Sequence, residues 1–100
     1  MALSIERELR NLIRTGNYVL GTKQTLKLLK LGKAKVVIMA KNTPPEIRER
    51  VRYYARLGNI PVIEYEGTSD ELGHVLGKPF VVSLIGVIDE GTSKILELIA

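Results

Sequence analysis

Apolar residues along this chain alternate between two rhythms, one spaced for helices and one for strands. Ile5, Leu9, Leu12 and Ile13 recur at helical spacing behind Ser4, a capping residue, and Gly16 follows them, which predicts a helix over residues 4–15. Tyr18-Val19-Leu20 then reads as a short strand. Thr22 is placed to cap a second helix over 22–31, which Gly32 stops. Residues 36–40 are apolar at every position, the mark of a strand covered on both faces. Thr43-Pro44-Pro45-Glu46 combines a capping threonine, an early proline and a capping-box glutamate, and opens a third helix that runs to Leu57 and ends at Gly58-Asn59. That helix should bury Ile47, Val51, Tyr54 and Ala55.

The rhythm continues to the end of the chain. Ile60-Pro61-Val62-Ile63 is a strand entered through a proline, which suits an edge or a strand start. Thr68-Ser69-Asp70-Glu71 is a second capping box, opening a short helix that ends at Gly77. Residues 80–88 read as a long strand, 89–93 as a turn, and 94–99 as a last strand forming a hairpin with the one before. Strands alternating with helices predict an α/β fold, a three-layer α/β/α sandwich with a mixed sheet of four to five strands. One hundred residues leave room for one domain, 1–100, with only short loops. Function should therefore sit at loop–helix junctions.

Composition adds little until its distribution is considered. At 45% hydrophobic and 26% charged the chain is ordinary and globular, and its net charge of +4 is modest. Yet residues 1–60 carry 13 bases and 4 acids, whereas residues 61–100 carry 2 bases and 7 acids. From Leu9 to Pro45 there is no acid at all, against eight bases: Arg10, Arg14, Lys23, Lys27, Lys30, Lys33, Lys35 and Lys41. Such asymmetry points to a basic face rather than a diffuse solubility charge. The lack of cysteine excludes disulfides, thiolate metal sites and a cysteine nucleophile, and fits a reducing cytosol. Glu6, Arg7, Glu8 and Arg10 argue against a secretory signal, and no apolar run is long enough to span a bilayer.

The centre of the acid-free stretch is a glycine turn opening into a basic helix, Gly21-Thr22-Lys23-Gln24-Thr25-Leu26-Lys27-Leu28-Leu29-Lys30. On a helical wheel Lys27 and Lys30 fall within about 40° of Lys23, and the leucines spread around the other side. Free amides at a helix start add positive potential and donors for phosphate, and Gln24 in the first turn offers both a donor and an acceptor to a base edge. A merely solvated face would look similar, but solvated helices usually mix signs, as the third helix does at Glu46/Arg50 and Glu49/Arg52. Gly16, Gly21 and Lys23 imitate the spacing of a nucleotide phosphate loop, but the order Gly-Thr-Lys is wrong and strand-like Tyr18-Val19-Leu20 lies where a loop is needed.

Other groups are weaker by themselves. Lys41-Asn42 leaves the central strand at its carboxyl end, where open sheets bind ligands; a plain turn is the ordinary reading of Asn42. Lys78-Pro79-Phe80 contains the only phenylalanine, which is a core residue if buried and a platform for an unstacked base if exposed. His74 has no partner for a metal, Asp70/Glu71 and Asp89/Glu90 read as cap and turn residues, and no nucleophile–base–orienter set is present. No cofactor, metal, small-molecule substrate or catalytic residue is expected, and so no enzyme.

The runs 21–27 and 34–42 resemble the kink-turn RNA-binding superfamily of ribosomal and small-ribonucleoprotein proteins. Tyr53-Tyr54-Ala55-Arg56-Leu57, Ile60-Pro61-Val62, Gly67-Thr68-Ser69-Asp70-Glu71-Leu72-Gly73 and Gly77-Lys78-Pro79-Phe80 narrow the likeness to the archaeal and eukaryotic large-subunit ribosomal branch, the L-thirty-e family, over essentially the whole chain. The resemblance implies a three-layer sandwich that binds a sharply bent RNA with sheared G·A pairs. It implies contacts from Gly21, Thr22, Lys23, Gln24 and Lys27, from Lys41 and Asn42, and from Lys78, Pro79 and Phe80; the shared lysine face adds Lys30. The box-C/D branch has Asn-Glu where this chain has Lys23-Gln24, which favours the ribosomal branch. The expected partners are a kink-turn in ribosomal RNA and other ribosomal proteins, on a cytoplasmic ribosome, with the isolated chain a monomer. The alternatives are a core subunit of another small ribonucleoprotein, or a protein-interaction module whose basic face meets an acidic partner.

Overall fold

The computed structural model of the chain describes residues 4–99. Ser4 accepts the Arg7 amide and starts α1 (Ile5–Thr15), which runs into β1 (Asn17–Leu20). There follow α2 (Thr22–Lys30), β2 (Val36–Met39), α3 (Pro45–Gly58), β3 (Val62–Glu64), α4 (Ser69–Val75) and β4 (Leu84–Asp89). The sheet order is β1-β4-β2-β3, with β2 parallel to β3 and both other pairings antiparallel. The mixed α/β/α sandwich expected from the strand–helix alternation is therefore present, with four strands.

Alternation along β2 explains the layers. Val36 and Ile38 face α1 and α4, in one cluster with Leu9, Leu12, Leu72 and Ile85. Val37 and Met39 face α2 and α3, in a second cluster with Leu26, Leu29, Val51 and Ala55. All four β2 residues are fully buried, so the uninterrupted apolar run is a strand covered on both sides. Each such side chain is worth about 1.5–3 kcal/mol on burial. Ile47 and Tyr54 of α3 are only half-buried. Asn59 ends α3 in the left-handed conformation, and Pro61 precedes the edge strand β3.

Four expectations need correction. The expected last strand, 94–99, is instead a 3-10 turn over Ile95–Leu98. A hairpin there has no edge to join, because β4 already has β1 on one side and β2 on the other. The backbone donors of the segment also go elsewhere: the Lys94 amide donates to the Glu8 carboxylate at 2.7 Å and the Ile95 amide to Ser93. Secondly, β4 begins at Leu84 rather than Phe80, since its ladder with β2 ends at Met39–Leu84 and the Val82 amide turns to the Ser69 carbonyl of α4 instead. Thirdly, Thr43 does not cap α3. The N-cap is Pro44, which has no side-chain acceptor, and the Thr43 hydroxyl donates to the Ala40 carbonyl at 2.8 Å. Lastly, Gly21 rather than Thr22 is the N-cap of α2. The capping box at Thr68 and Glu71 is formed as expected.

Candidate nucleic-acid interface

Three segments meet at one end of the sheet, drawn together by the stretch 82–84 that enters β4. The Gly21 amide donates to the Leu84 carbonyl at 2.9 Å, which fixes the start of α2 beside the start of β4. The Ala40 amide donates to the Ser83 carbonyl at 2.8 Å, and the Thr43 hydroxyl approaches the same carbonyl at 3.4 Å, which fixes the turn after β2. The Val82 amide donates to the Ser69 carbonyl at 3.1 Å, which fixes the start of α4. Asn42 closes the ring: its side-chain oxygen accepts the Ser69 amide at 2.8 Å. Asn42 is thus more than a turn residue, because its amide ties the β2–α3 turn to α4.

The start of α2 is bare. Gly21 sits at φ 100°, a region that favours glycine, and no side chain caps the helix. No acid lies in its first turn, while Lys23, Gln24 and Lys27 are exposed along it. The amides of that turn therefore present donors and positive potential to solvent. Lys41 is exposed across the ring, with its own amide held by the Gly67 carbonyl at 2.9 Å. It also adds to the field that lowers the Glu71 carboxyl, although the chief cause there is the Thr68 backbone amide of the capping box.

The third segment is built by α4. Gly77 ends that helix, with its amide on the His74 carbonyl and the Lys78 amide on the Gly73 carbonyl. The chain then turns back across Gly73 so closely that a Cβ there would lie 2.2 Å from the Phe80 carbonyl oxygen. With its backbone laid on α4, Phe80 turns its ring outward: it is 54% exposed, and the neighbouring Val81 is 59% exposed. The phenylalanine is a surface residue, not a core one. A shallow cleft of about 260 Å³ runs past it, lined by Asp70, His74, Lys78, Pro79 and Val81.

Ten of the eleven site residues expected from the sequence belong to this assembly: Gly21, Thr22, Lys23, Gln24, Lys27, Lys41, Asn42, Lys78, Pro79 and Phe80. Lys30 does not. It lies about 10 Å further along α2 than Lys23, with its ammonium 5.4 Å from the centre of the Tyr54 ring. Sequence reasoning missed Val81, hidden inside a supposed strand; the preceding Pro79, which has no amide to give a ladder, was the available signal. It also missed the state of α3. Arg52 does not pair with Glu49, nor Arg50 with Glu46: Arg48 and Arg52 both pair with Glu64 of β3.

Among the described residues no group of three or more His, Asp or Glu could hold a metal, and no helix is long and apolar enough to cross a membrane. The arrangement offers donors, cations and one exposed aromatic ring, a set that suits a polyanion with accessible bases.

Comparison with known proteins decides the family. A family model described as Ribosomal protein L7Ae/L30e/S12e/Gadd45 matches residues 4–97. The chain belongs to this family. Similar relatives include the large ribosomal subunit protein eL30 of Aeropyrum pernix, 50% identical over 95 residues that make up 95% of each chain. The protein of the same name from Methanopyrus kandleri is 53% identical over 92% of this chain and 84% of its own length. That from Methanothermobacter thermautotrophicus is 50% identical over 97% of this chain and 99% of its own. Within the family, then, the likeness is to the eL30 type along nearly the whole length.

Proposed function

We propose that this chain is a structural, non-enzymatic protein of the large ribosomal subunit, at work in the cytoplasmic ribosome, and that it recognises a kink-turn in ribosomal RNA. The ribosomal role rests on the family and on the eL30 relatives. The RNA reading rests on one observation above all, the meeting of the bare α2 start, the Lys41-Asn42 turn and the outward Phe80-Val81 at a single end of the sheet. Each part has a task. Lys23, Lys27 and Lys41 neutralise phosphates. The α2 amides and Gln24 contact phosphate and base edges where a sheared pair exposes them. Phe80, with Val81 beside it, packs on a nucleotide that the bend pushes out of the stack. A straight duplex exposes no such nucleotide, so the apolar contact discriminates shape while the lysines supply affinity. Before assembly the chain acts as a monomer, with other ribosomal proteins as later neighbours.

The test is binding of the pure chain to a kink-turn RNA and to a straight duplex of equal length, each at two salt concentrations. Tighter binding to the bent RNA, with a steep salt dependence for both, is expected. Equal affinities would remove the shape-specific claim, and no binding to either would favour a protein-interaction module.

A further inference from the structure

A groove of about 460 Å³ runs between α2 and α3, lined by Thr22, Lys23, Leu26, Lys27 and Lys30 from one helix and by Ile47 and Arg50 from the other. The helices lie on the same face of the sheet, and both begin beside Ser83 and Leu84, so the groove opens at the proposed RNA end and leads away from it. Its floor is Leu26 and Ile47; its rims carry four cations and no acid.

Among the described residues the four cations have no carboxylate partner. The ion pairs among the described residues are Lys35–Glu90, Arg48–Glu64 and Arg52–Glu64, and none involves Lys23, Lys27, Lys30 or Arg50. The split along α3 is informative. Arg48 and Arg52 turn toward the sheet edge, where Glu64 holds them; Arg50 faces α2, where only other cations await it. At the far end Lys30 rests over the Tyr54 ring, which keeps its ammonium beside the groove without neutralising it. All four are exposed, so water and counterions screen their mutual repulsion, and an extended anion laid along the channel would take the place of those counterions.

We infer that the groove between α2 and α3 receives the phosphate backbone of an RNA stem flanking the bend, with Arg50 as its contact on α3. The inference rests on the RNA reading above and extends it. The bend is recognised at the end of the sheet, and one arm of the RNA then follows α2 along the groove. Charge complementarity and continuity with that end favour a nucleic-acid backbone over an acidic protein segment. The hydrophobic floor takes no part in sequence choice, so the contact is one of backbone and shape.

The experiment compares two RNAs that share a kink-turn, one with both arms long and one with each arm trimmed close to the bend. The proteins are the unaltered chain, Arg50→Ala, Arg50→Glu, Arg50→Lys and Phe80→Ala. Arg50→Ala should bind the long-armed RNA roughly threefold to tenfold more weakly at low salt, with the slope of log affinity against log salt reduced by about one. Arg50→Glu should lose more, Arg50→Lys should restore the slope, and all three should match the unaltered chain on the trimmed RNA. Phe80→Ala should weaken both RNAs. If Arg50→Ala and Arg50→Glu bind the long-armed RNA like the unaltered chain while Phe80→Ala does not, the groove carries no RNA and the bend reading stands. If the Arg50 variants bind normally to RNA but lose binding to polyglutamate, the groove serves an acidic protein instead. A chain that fails to prefer bent over straight RNA fails at the earlier reading.

Discussion

The two ends of the sheet use the same kinds of side chain in opposite ways. At the end away from the candidate interface polar groups are matched internally. The buried Glu8 accepts the Lys94 amide at 2.7 Å, Ser93 donates to the Glu8 carbonyl at 2.7 Å, Thr15 and Thr92 share a hydrogen bond, and Lys35 pairs with Glu90 at 3.0 Å. The first three join α1 to residues 92–94, and the ion pair joins the approach to β2 to the turn after β4. At the other end backbone hydrogen bonds tie the segments together, but the first-turn amides of α2 stay uncapped, Lys23, Lys27 and Lys41 form no ion pair among the described residues, and Phe80 and Val81 face solvent. One end closes the fold, and the other holds a surface ready for something outside it. The lesson concerns which signals matter. A lysine says little, but a lysine whose fold provides no carboxylate says a good deal.

Two glycines, one near each end, should show this contrast most strongly. A Cβ at Gly73 would meet the Phe80 carbonyl oxygen at 2.2 Å; one at Gly91, where φ is 62°, would meet the Thr15 carbonyl oxygen at 2.5 Å. Each contact is with backbone rather than the end of a flexible side chain, so a Cβ there forces the chain segment itself to shift. Gly73→Ala and Gly91→Ala should therefore both destabilise by about 1–3 kcal/mol in denaturant melts. They should differ in function: under conditions where both are folded, only Gly73→Ala should lose affinity for bent RNA, because it displaces the Phe80 loop. Equal RNA affinity in the two variants would mean that the position of that loop is irrelevant.

Phe80→Ala sharpens the same point without disturbing the fold. The ring is more than half exposed, so stability should change little, while binding to the bent RNA should weaken by about 1–3 kcal/mol and binding to a straight duplex should hardly change. Thermal melts beside binding curves check both halves. A large loss of stability with unchanged binding would return Phe80 to the core.

Most of the frame was legible in the sequence for a physical reason: burial and periodicity are coupled locally. The apolar run at Val36 had to be a strand covered on both faces, and the box Thr68–Glu71 had to start a helix. The misreadings arose where the answer depended on distant partners. Residues 94–99 have strand composition, but both edges of β4 are occupied by strands far away in sequence, and Glu8 claims the Lys94 amide across 86 positions. Spacing alone would let Arg50 meet Glu46, whereas in the fold Arg50 lines the groove opposite α2. The α2 start was legible because a lack of acids is a local property. Val81 was not, because its exposure follows from the close passage of the chain over Gly73.

Acid should test the matched end. The Glu8 carboxyl is held below its ordinary 4.5 chiefly by the Lys94 amide, with help from Asn11 and neighbouring cations and against the cost of burial. A depressed carboxyl stabilises the fold fully above its unfolded value, and the contribution fades as pH falls through the lower folded value. Stability should therefore decline as pH drops below about 4.5, and Glu8→Gln should be less stable at neutral pH yet lose less on acidification. Because the latch is remote from the bare helix start, RNA affinity at neutral pH should not move. Parallel acid dependence in the two proteins would show that the carboxylate is not what the Lys94 amide needs.

The smallest effect compares one lysine from each end. Lys27 is exposed on α2 without an ion-pair partner among the described residues, whereas Lys35 is held by Glu90, which raises its pKa; the Glu90 carboxyl is lowered chiefly by its own backbone amide and next by Lys35. A lysine that already has a carboxylate brings no net charge to an RNA and releases no counterion when RNA arrives. Lys27→Ala should flatten the slope of log affinity against log salt by about one, for bent and straight RNA alike. Lys35→Ala should leave that slope unchanged, or steepen repulsion slightly by freeing Glu90. Titrations at four salt concentrations resolve the difference although each single affinity changes only modestly. If both substitutions flatten the slope equally, the attraction comes from the net charge of the whole chain, and the contrast between a matched and an unmatched end has no bearing on binding.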